Sequence, residues 1–267
     1  MKRSSAFTML AIGLAAGLVT LQGCGKSSDV TGIANVPQAT ADLVAVQAGA
    51  SASADNGGLM TEIQGSTAAV PTRAQTVSPD RILAADTTFS RGNLTITIGR
   101  TFYDATDTAL PQWDPSAVWV VITSWLRGTV TGPRYSGTIG RTGTLNIRGI
   151  QAATDTLVFD GVATDTTDAI YVSLDGTRTF DVHVLATRTL AGVTKLKNTN
   201  VNPWPLAGTA TWNLSVDKYA SGQQGTIEAH YEAVVVLTFN GTEFADVTVN
   251  GRFHYKIDLQ TGSCARA

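Results

Sequence analysis

The sequence predicts an all-β protein. The expected form is an antiparallel meander of roughly eight to ten strands curled into a sandwich or barrel-like sheet, preceded by a signal peptide and a flexible tether. Three observations carry this. From about residue 84 the chain is a series of Thr-, Val- and aromatic-rich runs bounded by Gly, Asp, Asn or Pro. No long helical period separates those runs, so crossover connections are absent and neighbouring strands should be antiparallel. Charged residues are only 15% of the chain, below the usual quarter, and Thr, Ser, Gly and Asn carry the polarity, as suits a strand-and-turn protein.

The runs follow in order. "NLTITIGRTFY" sets Leu94, Ile96 and Ile98 against Thr95 and Thr97. "AVWVVITSWL" is β-rich with both faces partly apolar. "GTLNIRG", "DTLVFDGV", "DAIYVSL", "TFDVHVLATRTL" and "GTATWNLSV" each read as one strand. The last two expected strands are the most regular. Residues 227–239 place Ile227, Ala229, Tyr231, Ala233, Val235, Leu237 and Phe239 on one face, and residues 245–259 do the same from Ala245 to Leu259. A two-residue Asn240-Gly241 hairpin would scramble these faces, so an odd-length loop is required. Two versions fit. One is a three-residue loop 239–241, with Gly241 as a left-handed bulge, that pairs Thr238 with Thr242. The other starts one residue later and places Tyr231 over Gly251. Both imply that Asn250-Gly251 is not a turn.

The start of the chain reads differently. Lys2 and Arg3 precede an apolar stretch from Ala6 to Thr20, and small residues lead to Cys24. That is the layout of a secretory signal, and the apolar stretch is shorter than the ~20 residues a spanning helix needs. Leu21-Gln22-Gly23-Cys24 resembles the lipobox of bacterial lipoproteins, with Gln22 a less common residue at its position. The resemblance implies that Cys24 is lipidated, that residues 1–23 are removed, and that two or more acyl chains anchor the protein stably. Gly25 rather than Asp follows the cysteine, which in this family leans towards the outer membrane. The expected location is therefore the bacterial cell envelope, with the membrane as partner through the anchor.

Cleavage before Cys24 would remove Lys2 and Arg3 and take the formal charge from −2 to near −4. No basic run occurs, so nucleic acid is not expected as a partner. Lipidation of Cys24 would leave Cys264 without an intrachain mate. Residues 24–83 are rich in Ala, Ser, Thr, Gly and Gln and broken by Gly and Pro, which predicts a tether. Within it, "ADLVAVQA" and "GLMTEIQG" could form short helices, and the competing reading is an N-terminal subdomain packed on the sheet. The expected β domain is residues 84–267.

"RTFYDATDTALPQWDPSA", "PWPLAGTATW" and "VVVLTFNGTEFADVTVNGRFHYKIDLQTG" resemble stretches of an uncharacterised group of bacterial envelope lipoproteins, whose members combine a lipobox, a low-complexity tether and a C-terminal β-rich domain. The resemblance rests on turn and strand residues. It implies a shared fold and location and transfers no active site.

Residues able to carry chemistry are few. His230 and His254, with Glu228 and Glu232, fall on the polar face of the final strands, and two imidazoles with a carboxylate can hold a metal. The competing reading is a solvated sheet face. His183, between Val182 and Val184, reads as a strand surface or satisfied core residue. Asp104, Asp107 and Asp114, and Asp160, Asp165 and Asp168, cluster in Thr-rich stretches. Their spacing matches no calcium loop, and turn-making is the commoner role. Trp119, Trp125, Trp204 and Trp212 read as core rather than as a ligand platform. No nucleophile, zinc-protease or phosphate-loop motif occurs. No catalytic residue and no cofactor is assigned. The expected function is non-catalytic binding or scaffolding, with two alternatives: an envelope hydrolase or metal-binding protein using the His230/His254 face, and a lipid or small-ligand carrier with an apolar cavity.

Overall fold

The computed structural model describes residues 38–54, 59–69, 87–91, 93–132, 135–151, 153–172, 179–220 and 227–267. Cys24 and the signal segment lie outside these residues. Among the described residues twelve antiparallel strands form one sheet. They are β1 (Thr87–Arg91), β2 (Leu94–Tyr103), β3 (Ala109–Leu110), β4 (Trp119–Gly132), β5 (Tyr135–Arg148), β6 (Thr156–Val172), β7 (Thr179–Leu196), β8 (Ala207–Ala220), β9 (Ile227–Thr238), β10 (Phe244–Val249), β11 (Phe253–Asp258) and β12 (Cys264–Arg266). Each pairs with the next, except that β3 is a short flap on β2, which pairs onward with β4. Among the described residues no ladder joins β1 to β12, so the sheet is open rather than closed. The all-β meander expected from the sequence is the fold.

Strand alternation divides the sheet into two faces. The inner face carries Phe102, Val120, Leu145, Ile147, Phe159, Val193, Trp212, Val235, Leu237, Val247 and Ile257, all buried. The outer face is dominated by threonines that sit opposite one another across strands, such as Thr142 with Thr164 and Thr164 with Thr187. Threonine fits this face because its β-branch suits the pleat while its hydroxyl keeps the surface wet.

Two helices cover the inner face, α1 (Gln38–Ala52) and α2 (Leu59–Ala69). They correct the reading of residues 24–83 as a tether, because both helices contribute side chains to the core. Ala41, Val44, Ala45, Ala48 and Ala52 recur at helical spacing and are at most 4% exposed, and Leu59, Met60 and Ile63 of α2 are equally buried. The small residues that made the segment look like low complexity let α1 approach the backbone of the 258–263 turn. A Cβ on Gly49 would lie 2.5 Å from the Gly262 carbonyl oxygen. Ala54 N–H donates to Leu259 O at 2.9 Å, and Gln38 Nε2 donates to the Tyr255 hydroxyl at 3.0 Å.

The final strands keep the expected parity but not the expected register. Leu237 faces Val247 and Val235 faces Val249, so apolar side chains do match. Neither tight loop forms. The β9–β10 connection is longer because it is tied to the neighbouring 198–206 loop. Asn202 Nδ2 donates to Gly241 O at 2.9 Å, and Gly241 N–H donates to Pro205 O at 2.9 Å. Gly241 takes the left-handed conformation, φ 84°, as the bulge reading required.

Asn250-Gly251 is a turn after all, with φ 53° and 64° and Arg252 N–H donating to Val249 O at 3.1 Å. Val249 pairs with Phe253 across an intervening stretch of three residues. An odd loop preserves parity, so the alternation from Val247 to Leu259 runs through the turn unbroken. Asn250 then extends the sheet sideways, since its backbone N–H donates to Val234 O and its Oδ1 accepts from Val234 N, both at 2.7 Å.

Candidate functional site

The structure separates the expected metal ligands. His230 lies on β9 opposite Asp217 of β8, and the two side chains are hydrogen-bonded through His230 Nδ1. Glu232 Oε1 is 3.7 Å from His230 Nε2. His254 lies on β11 opposite Thr248 of β10, and Glu228 faces neither His254 nor Arg252, because β9 and β11 are not neighbours in the sheet. The turn at 250–252 inserts β10 between β9 and β11, which places His254 one strand further from His230 than a single hairpin would. Glu228 belongs to β9. Among the described residues no three His, Cys, Asp or Glu side chains are arranged to hold a metal ion.

What the register does create is a row across the outer face. Asp168 of β6 faces His183 of β7, His183 faces Asp217 of β8, and Asp217 faces His230 of β9. His183 Nδ1 is 2.5 Å from Asp168 Oδ1, and these two side chains are 41% and 66% exposed. At that exposure the pair is largely screened, which places His183 on a solvated strand surface.

The aspartate clusters dissolve in the same way. Asp160, Asp165 and Asp168 lie on one continuous strand rather than in a loop between two. Asp165 points inward to Arg141, while Asp160 and Asp168 point outward about 26 Å apart at ~3.3 Å per residue. Asp104 is a turn lock. Its Oδ1 accepts from the Thr106 hydroxyl, Thr106 N and Thr108 N at 2.8–2.9 Å, and these hydrogen bonds, the Thr106 hydroxyl foremost, hold its pKa below the ordinary aspartate value. Asp114 caps Ser116 N–H at 2.6 Å.

The tryptophans divide. Trp212 is buried in the core, whereas Trp125 on the outer face is 40% exposed. Trp119 stacks on Tyr103 with centroids 4.1 Å apart and donates through Nε1 to Asp107 at 3.1 Å.

A feature able to hold a ligand lies on the inner face. Helix α1 packs against β9, β10, β11 and β12. Among the described residues α2 roofs the β2–β7 half, and a cavity of about 180 Å³ remains between them. Its floor follows from one cross-strand row, in which Ile98, Ser124, Gly143, Ala163 and Arg188 face each other in succession over β2, β4, β5, β6 and β7. Three consecutive small side chains leave a hollow. The flanking rows supply Ile122, Leu145 and Leu190 on one side and Ile96 and Leu126 on the other. Gly161 is fixed as glycine by the Thr144 carbonyl, 2.4 Å from where a Cβ would sit.

Ionic groups edge this apolar hollow. Arg188 of β7, 6% exposed, donates to Glu62 Oε2 of α2 at 2.6 Å. Arg141 of β5 is paired with Asp165 of β6. Burial alone would raise the Glu62 carboxyl, but the charges of Arg188 and Arg141 and the Arg188 hydrogen bond outweigh it and hold the group below its ordinary value. Burial acts to lower the Arg141 pKa, but Asp165 and Glu62 hold it above the usual arginine value. Arg100 of β2 also lines the cavity. The Glu62–Arg188 pair is the electrostatic clasp between roof and floor.

Sequence reasoning passed over these arginines, although a signal was there. Arg100 shares parity with Ile96, Ile98 and Phe102, and Arg188 with Val184, Ala186 and Leu190. Charged residues on the apolar face of a strand are the anomaly worth following. No family model, no curated protein and no solved structure matches this chain.

Proposed function

We propose that the protein is a non-catalytic, lipid-anchored binding domain of the bacterial envelope, which holds a small apolar ligand in the cavity beneath α2. The carrying observation is the hollow itself, where Ser124, Gly143 and Ala163 replace the large side chains found elsewhere on the inner face. Protein interiors are close-packed and a cavity costs stability, so a lined hollow of this size is a feature to explain by use. A cavity of ~150 Å³ accepts a benzene-sized guest, so this one suits about six to eight carbons of apolar chain and excludes a two-chain lipid. Burying six methylenes at ~0.8 kcal/mol each is worth about 5 kcal/mol, before the cost of association. The Leu21–Cys24 resemblance supports the anchor.

The test uses the chain from Gly25, which keeps every described residue and carries no acyl group to compete. Hexan-1-ol titrated calorimetrically into this chain should bind saturably, and Ser124→Leu, which fills the floor, should abolish the binding while leaving the unfolding transition cooperative. Hexan-1-ol binding unchanged by Ser124→Leu would refute the cavity reading. For the anchor, Cys24→Ala should release the protein from membranes; continued membrane partitioning would refute lipidation.

A further inference from the structure

The ligand of this cavity carries a charge of its own, we propose: it is a single-chain amphiphile with a carboxylate head, and Arg100 receives that head. The inference rests on the cavity reading above and names its ligand class.

Three arginines edge the hollow, Arg100, Arg141 and Arg188, and they are not equivalent. Arg188 is buried and committed to Glu62 at 2.6 Å. Arg141 is committed to Asp165, with side chains 18% and 11% exposed. Both acids are thereby spent, and Glu62 also feels Arg141. Arg100 has no ion pair or hydrogen bond among the described residues. It lies half-buried opposite Ile122, on the same face as Ile96 and Ile98. The lining with its paired aspartate therefore carries one positive charge in excess, placed beside apolar walls.

A guanidinium presents a planar fork of donors that matches a carboxylate in two parallel hydrogen bonds. The apolar walls exclude water and strengthen that pairing relative to bulk solvent. A neutral alcohol of the same length would fill the hollow but offer Arg100 only a dipole. A cationic head would meet Arg100 as a like charge, since the neighbouring acids are already engaged. The geometry thus asks for a medium-length acyl chain along Ile96, Ile98, Ile122 and Leu145 with its carboxylate towards Arg100.

The experiment is calorimetric titration of the chain starting at Gly25 with octanoate, octanol and octylamine at pH 7. Octanoate should bind about tenfold more tightly than octanol, with octylamine weakest, and raising the salt concentration should weaken octanoate alone. Arg100→Gln should bring octanoate to within about twofold of octanol and leave octanol unchanged. Equal binding of octanoate and octanol by the wild-type chain would overturn the head-group assignment while the cavity reading survives. Arg100→Gln weakening both ligands alike would also overturn it, by making Arg100 a structural residue. Binding of none of these amphiphiles, nor of hexan-1-ol, would overturn both readings together.

Discussion

Lys195 is the sharpest test of the core. It lies on β7 opposite Leu157, both are fully buried, and its neighbours along the inner face are Val193 and Phe159. Its ammonium donates to the Pro203 carbonyl in the loop that covers it, the only hydrogen bond given to it among the described residues. Burial pushes its pKa down from 10.5 to about 8. At ~1.4 kcal/mol per pKa unit, this displacement corresponds to about 3 kcal/mol of destabilisation while the group is charged. Between pH 8 and 10.5 the unfolded chain binds more protons than the folded one, so stability should rise with pH across that window, with most of the gain reached by pH 10. Below pH 8 the penalty is present in full. Lys195→Met keeps a linear chain of similar length and removes the charge. It also leaves Pro203 O without its donor, costing up to about 1 kcal/mol. The variant should therefore be about 2 kcal/mol more stable than wild type at pH 7. That advantage should vanish by pH 10. The assay is urea unfolding followed by tryptophan fluorescence at pH 7, 8, 9 and 10 on both chains. Parallel stability curves over that range would refute the reasoning, as would a variant less stable than wild type at pH 7.

Four further expectations follow from other contacts. Gly49→Ala should lower stability by about 2 kcal/mol by thermal unfolding, because overlap with the Gly262 backbone exceeds the ~1 kcal/mol that alanine gains in a helix. Glu62→Gln should cost about 2 kcal/mol by leaving the buried Arg188 without its counter-charge. The Glu62 pKa is lowered in the folded state, so this stabilisation is complete above the ordinary carboxylate value and fades as pH falls through the folded one. Only the wild-type chain should show that loss in acid titration. Tyr231→Phe should be neutral or stabilising by up to about 1 kcal/mol in urea unfolding, since the Tyr231 hydroxyl is buried without a partner among the described residues, and its burial raises the pKa to about 12. Zinc added to the chain from Gly25 should give no saturable shift of the unfolding midpoint, and His230→Ala with His254→Ala should leave that response unchanged, because β10 separates the strands that carry the two imidazoles.

The sequence by itself determined the β class, the antiparallel order and the parity of the faces, because period-two alternation and turn residues are local properties of the chain; it divided β6 into two strands and joined β10 and β11 into one. It also carried the lipobox resemblance and the left-handed glycine at Gly241. The tertiary structure decided the rest. Whether Ala41, Ala45 and Gly49 make a spacer or a close-packed helix depends on the partner surface, since small residues are compatible with both. Whether Asn250-Gly251 turns depends on an odd loop that leaves no mark on the alternation. His230 and His254 were close in the expected hairpin and are apart in the fold, because cross-strand neighbours are set by register, which periodicity fixes only to within two residues. The row Ile98, Ser124, Gly143, Ala163 and Arg188 draws one residue from each of five strands. No window of sequence contains it, and only pairing the strands brings its small side chains together into a hollow.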